Sequence, residues 1–327
     1  MNRVFLQPRH NLECKFFQNE NDFKVLENPI KFNSRGNFLI LKIEKTNIDT
    51  WGLIEKLSNS LNIYENEIGY AGLKDKNATT IQYISIPKKY SKDIKKFRST
   101  KIKILDTFLH NSKLNIGDLI SNSFEINLYD VMKEDLYKIQ NRVKNISKMG
   151  LPNYFGFQRF GKDVKLNINK AKDLLYGDLV IKDKKLEKML ISVYQSDLFN
   201  KWLNKRVKLS NSSYSLLDGD VMFDIESNRL FRVNSITSNI QDDFNKHNIT
   251  FTGLLSGKDV YKASKNAKVL EDKFDDIYIS SKGLRRAGVI FIKDLFINYN
   301  EDEKKCKLKF TLPKASYATV FIENILN

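Results

Sequence analysis

The chain has 327 residues, with 55 lysines and arginines against 39 aspartates and glutamates, a formal net charge of +16. Two cysteines (Cys14, Cys306) and three scattered histidines (His10, His110, His247) exclude a disulfide framework and a zinc finger, and no metal is expected. No apolar run reaches the roughly 18 residues of a membrane span and Met1 to Leu12 lacks the apolar stretch of a signal peptide, so the expectation is a cytoplasmic protein, off the membrane, whose charge attracts nucleic acid unless it merely reflects a lysine-rich proteome.

In chain order, Phe38 to Ile43 is apolar and β-branched and predicts a strand. Leu53, Ile54, Leu57 and Leu61 fall at helical spacing, with Thr46 and Asn47 as candidate caps. Ile68 to Leu73 and Thr80 to Ile86 predict two strands around the polar loop Lys74-Asp75-Lys76-Asn77. Eight basic residues follow between Lys88 and Lys103, with Ile94 and Phe97 able to anchor one side. That segment is either a solvated face or a surface for phosphates. Ser123 to Leu128 alternates, with Phe124, Ile126 and Leu128 on one face, as a half-buried strand does. Leu136, Ile139, Val143 and Ile146 predict an amphipathic helix over 133–148, stopped by Gly150 and Pro152. Leu186, Met189, Leu190, Val193 and Tyr194 continue helically towards Leu198, Phe199 and Trp202. Leu308, Phe310 and Leu312 alternate as a strand, and Val320, Phe321 and Ile325 sit on a last short helix. The return of strand character suggests one domain interrupted by another.

Several familiar chemistries are missing from the sequence. There is no G-x-G-x-x-G, H-E-x-x-H or G-x-S-x-G. Gly253 to Asp259 is one residue short of a phosphate loop and has Asp259 where the magnesium-binding hydroxyl belongs. No cofactor is expected. The loop Lys74-Asp75-Lys76-Asn77 reads as a polar turn. It also reads as a carboxylate kept ionised between two cations, which can act as a covalent nucleophile. Spacing does not choose between the two.

Gly69-Tyr70-Ala71-Gly72-Leu73-Lys74-Asp75-Lys76-Asn77 resembles the signature of the TruD family of tRNA pseudouridine synthases, in which the aspartate of A-G-x-K-D is the nucleophile. Further segments resemble the family in the family's order. Asn21-Asp22-Phe23-Lys24-Val25-Leu26-Glu27 is similar to E-D-F-x-V-x-E, and Asn122-Ser123-Phe124 to N-x-F. Pro152 to Gly161 carries the full P-N-Y-F-G-x-Q-R-F-G. Tyr194 to Asn200 is similar to Y-Q-S-x-L-F-N, and Leu312 to Thr319 to L-P-x-G-S-Y-A-T. There are departures. Asn21 stands for the motif's glutamate, Glu20 for the preceding proline, and Ser121 and Ala315 for glycines. Phe17 occupies the distance from Phe23 at which the family has a lysine, and Lys15 comes two residues early, so the basic partner of the nucleophile is left open.

The resemblance implies an α+β fold: a pseudouridine synthase catalytic domain with a mixed, largely antiparallel sheet flanked by helices, interrupted by an inserted α/β domain. The expected boundaries are 1–149 with 291–327 for the former and 150–290 for the latter. It implies an isomerase that converts uridine to pseudouridine, at position 13 of tRNA, on a flipped-out base and with no cofactor. Asp75 would be the nucleophile, Asn122 a hydrogen-bonding group, Phe23 and Tyr317 pocket walls, and Phe124 a stacking platform. From the residues alone, Phe124 reads as core. Lys95, Lys96, Arg98, Lys205, Arg206, Arg285 and Arg286 are candidate phosphate contacts, and Arg159 reads as a structural partner at a domain junction. The alternative is a tRNA-binding protein or RNA chaperone on the same scaffold, with no need of Asp75.

Overall fold

A computed structural model describes residues 3–8, 12–211 and 213–327; His10 lies outside them. In chain order these form β1 (Lys15–Phe16), β2 (Phe23–Pro29), β3 (Phe38–Thr46), α1 (Thr50–Leu61), β4 (Gly69–Tyr70), β5 (Thr79–Pro87), β6 (Ile102–His110), β7 (Leu119–Tyr129), α2 (Lys133–Met149), β8 (Leu151–Pro152), α3 (Val164–Tyr176) and α4 (Lys184–Lys208). There follow β9 (Val221–Asp224), β10 (Arg229–Arg232), α5 (Ser238–Asn245), β11 (Ile249–Leu255), α6 (Lys265–Glu271), β12 (Leu284–Ala287), β13 (Val289–Ile290), β14 (Lys293–Asn300), β15 (Lys305–Pro313) and α7 (Ala318–Leu326). The chain divides into two compact units: residues 12–140 with 292–315, and the described parts of 1–11, 141–291 and 316–327. Both chain ends thus group with 141–291, where the sequence boundaries had set them apart from it.

The first unit is built on a sheet in the order β14-β15-β7-β2-β5-β3-β6, with β1 added to β7 and β4 to β5. Strands β2 and β5 pair in parallel, while β3 with β5, β3 with β6, β2 with β7 and β7 with β15 pair antiparallel. This is the mixed, largely antiparallel sheet of an α+β fold. Strand β3 is buried on both faces, which is why it reads as a continuous apolar run. Leu39, Leu41 and Ile43 pack with Leu53, Ile54 and Leu57 of α1; Ile40 packs with Tyr83 and Leu114 on the other face. The cap of α1 is Asp49, whose carboxylate accepts the Gly52 N–H at 2.7 Å. Thr46 instead ends β3, and Asn47, at φ 54°, turns the chain out of the strand. The basic segment forms two short 3-10 turns, Lys88–Ser91 and Ile94–Lys96, and then enters β6, which the sequence pattern did not predict. Gly150 has φ +86° and donates its N–H to the Ile146 carbonyl at 2.7 Å, closing α2 as expected.

The second unit holds the antiparallel sheet β10-β9-β11-β12 and the pair β8–β13. Helix α4 sends Val193, Phe199, Trp202, Leu203 and Val207 into a core with Tyr154, Phe155, Phe160 and Phe251. Gly253 lies in β11, where a Cβ would stand 2.3 Å from Trp202 Cζ3. The glycine of the apparent phosphate loop is therefore a packing glycine. Among the described residues no helix is long and apolar enough to cross a membrane.

Candidate active site

Asp75 lies in the loop between β4 and β5, and that loop is tied down from several sides. Gln82 Nε2 donates to the Gly72 carbonyl at 2.7 Å. The Lys74 N–H donates to Thr50 Oγ1 at 2.9 Å, and that hydroxyl donates to Gln82 Oε1 at 3.2 Å. The Gly117 N–H donates to the Ala71 carbonyl at 2.8 Å. Lys45 Nζ donates to the Asp75 carbonyl at 3.2 Å and to the Ile48 carbonyl at 2.6 Å. Lys74 Nζ is ion-paired with Glu27, a fully buried carboxylate that also accepts the Tyr83 N–H at 3.2 Å. The aspartate is thus mounted on a loop whose own backbone groups are held, which limits how far the carboxylate can stray.

Strand register brings the remaining groups to one face. Across the sheet, Lys45 is opposite Thr80, Thr80 opposite Val25, Val25 opposite Phe124, and Phe124 opposite Phe310. In the next row Glu27 is opposite Asn122, and Asn122 opposite Leu312. Opposed residues share a face, so Lys45, Glu27, Asn122 and Phe124 all project to the same side. Phe124 stacks on Phe310 with ring centroids 5.3 Å apart and planes 20° apart, and meets Phe23 at 6.1 Å. Phe23 is 1% exposed and also packs on Phe16. It backs Phe124 from within the core. Among the described residues, Asn122 Oδ1 and Thr80 Oγ1 are buried with no hydrogen-bond partner, the kind of group that a polar ligand satisfies.

The electrostatics follow from burial. Desolvation pushes the Asp75 carboxyl above the ordinary carboxylate range, and the positive charges of Lys45 and Lys74 pull it back. Burial pulls the Lys45 ammonium down to about 8, with Asp49 and Asp75 raising it and Lys74 lowering it further. Burial likewise raises Glu27, against Lys74. The basic groups beside the aspartate are therefore Lys45 and Lys74. Lys15 is exposed and ion-paired with Asp130 at 2.7 Å, and Phe17 is exposed beside Tyr129. Lys45 escaped the sequence reading, although one signal was there: positions 39, 41 and 43 face the core, and 45 continues their alternation with a lysine.

Asp75, Asn122, Phe124 and Phe23 all belong to the first unit. Tyr317 belongs to the second, just before α7, with its ring 6.1 Å from Phe155. Lys95, Lys96 and Arg98 are exposed. Lys95 and Arg98, with Lys101, Lys103, Thr46 and Thr107, line a half-open concavity of about 560 Å³. Thr46 also ties this concavity to the end of the Asp75 loop, since it pairs with Thr79. Lys205 is exposed on α4.

The other three candidate phosphate contacts are corrected by the structure. Arg206 is 2% exposed and grips Asp220 through its two terminal guanidinium nitrogens, at 2.7 and 2.9 Å. The Arg285 side chain is buried against Glu271, at 2.5 Å, and donates to the Thr252 carbonyl at 2.6 Å. Arg286 is buried and donates to the Asn153 carbonyl and to Asn153 Oδ1 at 2.9 Å. These arginines are committed to architecture, with no face left for a phosphate. Arg159 is exposed on the turn Phe157–Phe160, with Nε donating to Ser196 Oγ at 3.1 Å. His110 Nδ1 accepts the Asn33 N–H at 3.3 Å, and His247 stacks on Phe291 at 3.9 Å.

The sequence model of the tRNA pseudouridine synthase D (TruD) family matches residues 3–180 and 168–325. The chain belongs to the TruD family. It is 36% identical to the tRNA pseudouridine synthase D of Sulfurimonas denitrificans, over 99% of this chain and 98% of that protein. It is 35% identical to that of Nitratiruptor sp., with the same coverage of both chains. The fold matches a solved structure from Methanosarcina mazei, a candidate TruD protein, with a TM-score of 0.73 over 99% of this chain and 95% of that one, at 21% identity. Pseudouridine synthases are isomerases, and this member of the TruD family is an enzyme of that class.

Proposed function

We propose that the protein isomerises a uridine of tRNA to pseudouridine, at position 13, with Asp75 as nucleophile acting on a base turned out of its stack. The observation that carries this reading is the half-buried Asp75 on a clamped loop, flanked by Lys45 and Lys74, beside a sheet face holding Phe124 and the unpartnered Asn122 Oδ1. The reaction breaks the bond between the ribose and N1 of uracil and makes one to C5. The proton on C5 leaves, and N1 gains one. No atom is added and no electron changes hands, so a carboxylate and a pocket for the base suffice. The two lysines keep the carboxylate ionised against the desolvation that raises it. Turning the base out costs a few kcal/mol, which stacking on an aromatic ring, about 1–3 kcal/mol per base, offsets. Phe124, with Phe310 and Phe23 behind it, is the ring we assign to that task. Asn122 supplies a hydrogen-bonding group for the base edge.

The catalytic body in this reading is the unit 12–140 with 292–315, and the inserted domain, 150–290, falls within the other unit. Lys95, Lys96 and Arg98 around the basic concavity, and Lys205 on α4, contact tRNA phosphates. The protein works in the cytoplasm, where its substrate is.

The test uses unmodified tRNA transcripts carrying uridine at position 13, with pseudouridine mapped by position. The expected outcome is modification by the wild type and none by Asp75→Asn, with tRNA binding retained in both. Binding by both proteins and pseudouridine from neither would move the assignment to a tRNA-binding protein without catalysis.

A further inference from the structure

Lys45 is 0% exposed, yet it is a lysine on the core face of β3, one residue from the end of the strand. Among the described residues its ammonium has two hydrogen-bond acceptors, both backbone carbonyls: Ile48 at 2.6 Å and Asp75 at 3.2 Å. A buried ammonium is normally paired with a carboxylate. The other buried lysine here is so paired, Lys74 with Glu27. Lys45 instead gives one of its three donors to the main chain of the loop residue whose side chain we assign as nucleophile. The charged groups that act on it are Asp49 and Asp75, which favour its ammonium, and Lys74, which opposes it. Asp75 feels both lysines in return.

We propose that Lys45 is the positioning residue of Asp75, holding the loop by the Asp75 carbonyl and holding the carboxylate in its ionised form by charge. This rests on the nucleophile assigned above. Lys74 also acts on Asp75 by charge, but its ammonium is ion-paired with Glu27 and its side chain does not hold the Asp75 carbonyl. The role has a pH signature. Lys45 titrates at about 8, so it is charged at neutrality and loses its charge in mildly alkaline solution. The nucleophile then loses one of the two positive charges that favour its ionised form.

Three proteins test it: wild type, Lys45→Met and Lys45→Arg. Two readouts are taken: the single-turnover rate on saturating tRNA from pH 6.5 to 9.5, and the ionisation of the Asp75 carboxyl by carbon NMR of labelled aspartate, assigned with Asp75→Asn. Lys45→Met should lower the rate about a hundredfold, the usual cost of one preorganised charged donor. It should bind tRNA as the wild type does, and its Asp75 carboxyl should titrate higher. The wild-type rate should fall above pH about 8. Lys45→Arg stays charged throughout this range, so it should lose that alkaline fall, whatever its absolute rate. If Lys45→Met does not fold, the pH profile of Lys45→Arg decides alone. An unchanged rate and an unchanged Asp75 titration in Lys45→Met, or an alkaline fall that persists in Lys45→Arg, overturns the proposal. A wild type that makes no pseudouridine, with Asp75 still titrating higher in Lys45→Met, would sink the enzymatic reading and leave the electrostatic coupling standing.

Discussion

Two buried cations, one in each unit, are held in different ways. In the unit of residues 141–291, Arg206 is matched to Asp220 and Arg285 to Glu271, carboxylate against guanidinium at 2.5–2.9 Å. In the unit of the large sheet, among the described residues, Lys45 donates only to carbonyls, and Asn122 Oδ1 and Thr80 Oγ1 have no partner. A matched pair explains itself as architecture. Removing one partner strands the other charge, which is why such pairs resist mutation without any catalytic role. An ammonium without a carboxylate, beside unsatisfied polar atoms, lowers stability and is kept for another reason. The contrast separates two uses of the same chemistry within one chain.

The largest test of that contrast is Arg206→Met. It leaves Asp220 buried and unpaired, so it should cost about 3–5 kcal/mol of unfolding free energy, read by urea denaturation. Lys45→Met should cost no more than about 1 kcal/mol, because losing two carbonyl hydrogen bonds is offset by no longer burying a charge. Equal losses in the two variants would erase the distinction.

The pH dependence of stability sharpens it further. The folded Lys45 pKa, about 8, lies below its ordinary value of 10.5, so between those limits the unfolded chain binds more protons than the folded one. Wild-type stability relative to Lys45→Met should therefore rise with pH across that window, by up to about 3 kcal/mol. A flat difference between pH 8 and 10 would mean that Lys45 is better solvated than its burial implies.

A third, smaller effect concerns surface cations. Replacing Lys95, Arg98 and Lys101 together by glutamine should leave stability within about 0.5 kcal/mol. It should weaken tRNA binding and reduce the slope of log affinity against log salt by roughly two to three, close to one for each phosphate no longer neutralised. Lys205→Gln should do the same on the scale of a single phosphate. Arg285→Gln should act on stability and leave the salt slope alone, since its side chain is committed to Glu271 and Thr252.

These contrasts also show what was legible in the sequence. Asp75, Asn122 and Phe124 are candidates because the family motifs mark them, and the structure sets them in one unit without testing their roles. The order of strands and helices was readable around β3, α1, β7 and α4 because apolar spacing is strong there. Strand β6 was not, because it lies at the end of the sheet order and its residues from Lys103 to Thr107 are mostly exposed, so no alternation marks it. Arg206 was misread as surface because it adjoins Lys205. Its spacing from Trp202 and Leu203 puts it on the buried stripe of α4, which counting along the helix would have shown. Lys45 was missed for the converse reason, since a lysine on the core face of a strand looks like noise until its acceptors are known.

The smallest effect lies at a departure from the family pattern that turns out to have a cost. Ala315 stands where the motif has glycine, and it takes φ +62°, in the left-handed region. For a residue with a Cβ that conformation costs about 1–2 kcal/mol, whereas glycine adopts it freely. Ala315→Gly should relieve this strain but also return backbone entropy to the unfolded chain, worth roughly 0.4–1 kcal/mol in the opposite sense. The net expectation is a gain of about 0.5 kcal/mol, seen as a small rise in Tm with tRNA modification unchanged. A fall in Tm would mean that the segment after Pro313 is held by packing of the Ala315 methyl, and that the glycine of the family signature answers a need other than backbone conformation.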